Sequence, residues 1–84
     1  MLETLKFKIT LYCNFDATDE IKNYINTAVD NIEDYSFKKL FENPEKVKIS
    51  CIFEITQKKV IDDIYKKLTE TNSPDAITIQ ELND

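Results

Sequence analysis

The chain has 84 residues, a formal net charge of −5, 42% hydrophobic residues and 32% charged ones, proportions of an ordinary folded domain rather than a disordered segment. It contains no glycine and no histidine, and all eleven of its cations are lysines. Those gaps exclude a glycine-built phosphate loop, remove the one side chain that titrates unperturbed near neutrality, and leave no guanidinium fork for carboxylate or phosphate.

No apolar run approaches the roughly 18 residues needed to cross a bilayer. The opening residues carry neither a basic region nor an uninterrupted apolar stretch, so no secretory signal is expected. The expectation is one cytoplasmic domain spanning residues 1–84, since a chain this short builds a single core. Cys13 and Cys51 each share strand parity with apolar neighbours, Ile9 and Leu11 for the first, Ile49 and Phe53 for the second. They read as small buried hydrophobes rather than as a disulfide or a metal pair.

Residues 5–13 alternate apolar and polar without a fault, the pattern of a strand buried on one face. Asp16 is placed to cap a following helix, reinforced by Asp19 and Glu20 near its positive end. From Ala17 the period becomes helical: Ile21, Tyr24, Ile25, Ala28, Val29 and Ile32 form one stripe. Phe37, Leu40 and Phe41 belong to a different stripe, which predicts two helices over residues 17–42 with a break near 34–36. Asn43 and Pro44 end that region, because the residue before proline is pushed out of the helical basin.

Residues 47–55 alternate again and predict a second strand. Thr56 is a candidate cap for a helix whose stripe is Val60, Ile61, Ile64, Tyr65 and Leu68, with Asp62–Lys66 and Asp63–Lys67 as i, i+4 pairs. Asn72, Ser73 and Pro74 stop it. Residues 76–80 predict a short third strand, with Leu82 at its end. The predicted fold is α+β: a two-layer sandwich in the order β-α(α)-β-α-β, with helices on one face of a three-stranded sheet. The simple crossover predicts that strands two and three run parallel.

Because the strands alternate, one sheet face is expected open. It presents Lys6, Lys8, Thr10 and Tyr12 from the first strand and Lys46, Lys48, Ser50, Ile52 and Glu54 from the second, then Thr78 and Gln80 from the third. Residues 16–42 hold seven acids and three lysines, so most of the negative charge is expected on the outward side of the first helical region. Asp19, Glu20, Asp30, Glu33 and Asp34 are the candidate contacts for a protein partner with a basic surface. Tyr12 and Ile52 are a second candidate contact, suited to a homodimer.

Adjacent carboxylates such as Asp62 and Asp63 point about 100° apart on a helix and cannot share a proton. Asp16, just after the first strand, is similar in position to an aspartate of small ferredoxin-like nucleases, but no other residue matches that pattern. No catalytic residue, cofactor or metal site is expected. In size, acidity and want of catalytic motifs the chain resembles anti-CRISPR proteins and bacterial toxin-immunity proteins. That resemblance implies a phage- or plasmid-encoded inhibitor blocking a basic nucleic-acid-handling surface of a CRISPR effector or other host defence protein. The alternatives are a toxin-immunity protein or a small nucleotide- or RNA-binding module using the open sheet face, with only Tyr12 available for base stacking. Neither a membrane nor, in the leading reading, direct nucleic acid is expected as a partner.

Overall fold

The computed structural model describes residues 3–70, 72 and 76–82. Along the chain run β1 (Leu5–Asn14), a 3-10 turn (Phe15–Ala17), α1 (Thr18–Ala28), β2 (Asn31–Lys39), β3 (Lys46–Ile55), α2 (Lys59–Thr69) and β4 (Ile77–Glu81). The strands make one antiparallel sheet in the order β2-β3-β1-β4. The class is α+β, and the sheet has four strands rather than the predicted three. Both β3 and β4 run antiparallel to β1, so they are parallel to each other with β1 between them. A β-α-β-β-α-β chain wound this way has the split, ferredoxin-like plan.

The two most regular alternations in the sequence become the two central strands. β1 and β3 pair over ten positions, from Leu5↔Ile55 to Asn14↔Lys46. Phe7, Ile9, Leu11 and Cys13 then share one face with Val47, Ile49, Cys51, Phe53 and Ile55, and all nine are buried. Ile21 and Ile25 of α1, Ile64 and Leu68 of α2, and Ile77 of β4 complete that core. Each fully buried isoleucine, leucine or phenylalanine contributes about 1.5–3 kcal/mol. Phe7 and Phe53 stack across the central pair with centroids 6.0 Å apart. Tyr24 of α1 donates its hydroxyl to the Asp63 carbonyl of α2 at 3.3 Å, tying the two helices together.

The predicted second helix does not exist; residues 31–39 are the edge strand β2. The helical stripe ends at Val29, whose N–H still bonds the Ile25 carbonyl at 3.1 Å while its own backbone is extended. A chain without glycine lacks the left-handed residue that most often marks a helix end, and the apolar stripe runs on past the stop to Ile32. The deception continues in β2, where Ile32 pairs with Phe53 and Phe37 with Ile49, yet the register slips between Glu33 and Ser36. This is a β-bulge. Asp34 occupies it at φ 53°, a left-handed conformation that aspartate tolerates better than most non-glycine residues. The extra residue puts Ile32 and Tyr35 three positions apart on the core-facing side, a helical spacing generated inside a strand.

Smaller differences have local causes. Asp16 lies in the 3-10 turn, and α1 has no side-chain cap; Thr18 instead donates its hydroxyl to the Phe15 carbonyl at 2.7 Å. Thr56 does not cap α2 either, since the N-cap position falls on Lys58. Tyr65 leaves the predicted stripe and is exposed. Lys67 meets Glu70 at 3.7 Å rather than Asp63. Asn43 and Pro44 shape the β2–β3 hairpin rather than a helix end: the Asn43 side chain accepts from the Glu45 N–H at 3.3 Å, an Asx turn. Of the predicted stop after α2, Ser73 and Pro74 lie outside the described residues. No helix among the described residues is long and apolar enough to cross a membrane.

Candidate binding surfaces

The register sorts the polar side chains into rows on the sheet face away from the helices. Reading β2-β3-β1-β4, one row is Glu33, Ile52, Lys8 and Gln80; the next is Ser36, Ser50, Thr10 and Thr78; the third is Lys38, Lys48 and Tyr12. Lys46 lies beyond them beside Asn14, and Glu54 beside Lys6 at the opposite end. Five lysines thus occupy open-face strand positions (Lys6, Lys8, Lys38, Lys46, Lys48) against two carboxylates, Glu33 and Glu54. Within that set Lys6 and Glu33 form an ion pair at 2.9 Å. The third row has no acid at all, and Lys38 sits directly opposite Lys48.

Tyr12 and Ile52 both belong to this face, as the alternation predicted. They are not neighbours: Tyr12 pairs with Lys48 and Ile52 with Lys8, which separates them by four residues along the strands, about 13 Å. They do not make one patch.

The five candidate carboxylates are also divided. Asp19 and Glu20 are in the first turn of α1. Asp30 lies in the bend after α1, Glu33 on the open sheet face beside Lys6, and Asp34 in the bulge. The expected outward helical side carrying all five is corrected accordingly, because the chain past Val29 pairs with β3 instead of continuing the helix. Asp16, Asp19 and Glu20 do not assemble a metal site; among the described residues no three Cys, Asp or Glu side chains are grouped to hold an ion.

On the helical side, where β2 runs past the start of α1, an aromatic shelf is exposed that the helical reading concealed. Phe15 and Phe37 meet edge to face with centroids 5.9 Å apart. Lys39 lies over the Phe15 ring at 4.6 Å and Lys22 over the Tyr35 ring at 4.7 Å. Such contacts contribute about 0.5–1 kcal/mol at exposed sites. Phe15, Tyr35 and Phe37 line a recess of about 250 Å³ with Asp19 and Lys22. A wider recess of about 680 Å³ beside it is edged by Asp16, Glu20, Lys39 and Glu45. The signal that would have revealed this shelf is the alternation of Tyr35 and Phe37, aromatic residues that favour strands, with Ser36 and Lys38.

Titration behaviour follows burial. The Cys51 thiol, sealed in the core, is pushed up to about 11, and Cys13 is raised by the same desolvation. Both cysteines are free and buried. Tyr35 is raised by burial first, then by Cys51, Cys13 and Asp19. Buried, raised thiols are poor nucleophiles. No known protein family matches the chain, and no curated protein matches its sequence.

Proposed function

We infer that the protein is a non-catalytic binding protein that presents the carboxylates of its helical side to a basic surface of another protein. The partner class is a nucleic-acid-handling protein of host defence, a CRISPR effector foremost, and the protein acts as an anti-defence inhibitor. The observation that carries this reading is the sorting of charge. Of the carboxylates among the described residues, only Glu33 and Glu54 sit at open-face strand positions, whereas five of the eleven lysines do. The rest of the surface is correspondingly acidic, with Asp16 in the turn before α1 and Asp19 and Glu20 in the first turn of α1. An anionic surface of this kind steers association with basic partners and competes with nucleic acid for them.

Adding the protein to purified CRISPR effector ribonucleoproteins tests this directly. Target-DNA binding is expected to be blocked for at least one effector, and the double reversal Asp19→Lys with Glu20→Lys is expected to restore it. A block that survives the reversal, or no block across the panel, counts against the reading.

A second reading is favoured by the third row of the open face. Lysines directly opposite one another cost a strand pair roughly 0.2–1 kcal/mol, and Lys38 and Lys48 lie so with Tyr12 and Lys46 beside them. That arrangement suits the backbone of a single nucleic-acid strand. Saturable, salt-sensitive binding of a labelled oligonucleotide that Lys48→Glu and Tyr12→Ala each weaken would establish it.

A further inference from the structure

The two edges of the sheet are unequal. β4 has five residues, whereas β2 has nine, an edge of about 30 Å. Unpaired strand edges are templates for further pairing, and proteins usually blunt them with bulges and lysines. Here the bulge lies between Glu33 and Ser36, with Asp34 in it, and leaves residues 36–39 in regular register.

We propose that β2 pairs antiparallel with β2 of a second copy of this chain, about a two-fold axis at Ser36, to form a continuous eight-stranded sheet.

Backbone direction supports this pairing. The Leu40 N–H donates to the Lys46 carbonyl at 3.1 Å, so residues 36, 38 and 40 turn their backbone groups toward β3. By alternation, residues 35, 37 and 39 turn theirs outward. With the axis at Ser36, Tyr35 faces Phe37 of the second copy as a hydrogen-bonded pair, and Ser36 faces its own equivalent as a non-hydrogen-bonded pair.

Side chains match in the same register. Tyr35 and Phe37 lie on the helical side in both copies, so the pairing brings four aromatic rings together and covers two shelves at once. Phe37 is 41% exposed in the single chain and Phe15 44%, and aromatic cross-strand pairs are among the stabilising ones. On the open side, once the bulge residue Asp34 is passed over, Glu33 faces Lys38 of the second copy. The strand is acidic in its first half and basic in its second, which makes it complementary to itself when reversed. Without the bulge, Tyr35 and Phe37 would fall on the opposite face from Ile32, and the aromatic match would be on the wrong side of the sheet. A two-fold operator produces both charge contacts from one.

This pairing goes beyond the binding function inferred above and is measured with the protein alone, so either can fail without the other. Sedimentation equilibrium should show a mass rising with concentration from 9.9 kDa toward twice that value. Lys38→Glu opposes two carboxylates across the axis and Glu33→Lys opposes two lysines, so each variant alone should remain a monomer. Mixing the two variants restores opposite charges at both contacts and should yield a heterodimer. Lys38→Glu also removes the Lys38–Lys48 opposition, so its fold is not expected to suffer, and circular dichroism checks this. Ser36→Cys should cross-link rapidly to its own copy under mild oxidation, since a non-hydrogen-bonded pair sets Cα atoms about 4.5 Å apart, within disulfide reach. The same substitution at Thr78 on β4 should not cross-link. A wild-type chain that stays monomeric at millimolar concentration overturns the proposal. So does a dimer that is indifferent to both charge variants, or one in which the mixture fails to associate.

Discussion

The halves β1-α1-β2 and β3-α2-β4 contribute comparably to one core but finish in very different outer strands. Ile25 of α1 and Ile64 of α2 are both almost fully buried over the sheet. β4, at the close of the second half, is short and regular, and its core-side residues Ile77 and Ile79 pair with Leu11 and Ile9. β2, at the close of the first, is long and bulged, with aromatic side chains left in view. A β-α-β unit therefore fixes its inner strand and helix by burial, while its outer strand is free to depart from regular alternation because only one neighbour constrains it. The departures at β2 are also where the charge contrasts and exposed rings concentrate.

The interior equivalence should be tested first, because the expected effects are largest there. Ile25→Ala and Ile64→Ala should each lower unfolding free energy by about 2–5 kcal/mol in urea titrations. A value near zero for one of them would show that its helix is not packed as described.

Next in size is the alkaline response of the shared core. Cys51 holds its proton more tightly folded than unfolded, since its thiol is raised from 9.0 to about 11. The unfolded chain releases that proton first as pH rises, so the stabilisation is complete below about 9 and is lost progressively up to about 11. The loss should reach about 2–3 kcal/mol, and Cys51→Ala should abolish this part of the pH dependence.

The bulge separates the two halves at a smaller scale. Asp34→Val should cost about 1–2 kcal/mol, because a β-branched residue resists the left-handed conformation. Asp34→Gly should be neutral or stabilising by up to about 1 kcal/mol. No position in β4 has a positive φ, so β4 should show no comparable response to glycine. Smallest of all, Phe41→Ser should alter stability by less than about 0.5 kcal/mol, as expected for a side chain in full contact with water.

Legibility followed the same division. β1, β3 and β4 were readable to within about a residue and α2 to within about two, because strict period two and a clean helical stripe each admit one interpretation. α1 was readable at its start but not at its end, where Val29 and Ile32 continued its stripe by coincidence. Of the candidate contacts, Tyr12 and Ile52 were placed on their true face, yet only strand register shows how far apart they are. Asp30, Glu33 and Asp34 were placed on a helix that is not there, and with them went the aromatic shelf of Phe15, Tyr35 and Phe37.

By itself the sequence determined the two central strands, the core they share and the sidedness of the sheet, since these are consequences of alternation along a single segment. Only the tertiary structure decided that residues 31–39 are a strand, that a bulge at Asp34 reverses their parity, and that Lys38 comes to rest opposite Lys48. The physical reason lies in where the backbone bonds go. A helix satisfies its N–H and C=O groups within its own segment and so leaves a local imprint, whereas an edge strand satisfies them on a neighbour and takes its identity from what it lies beside.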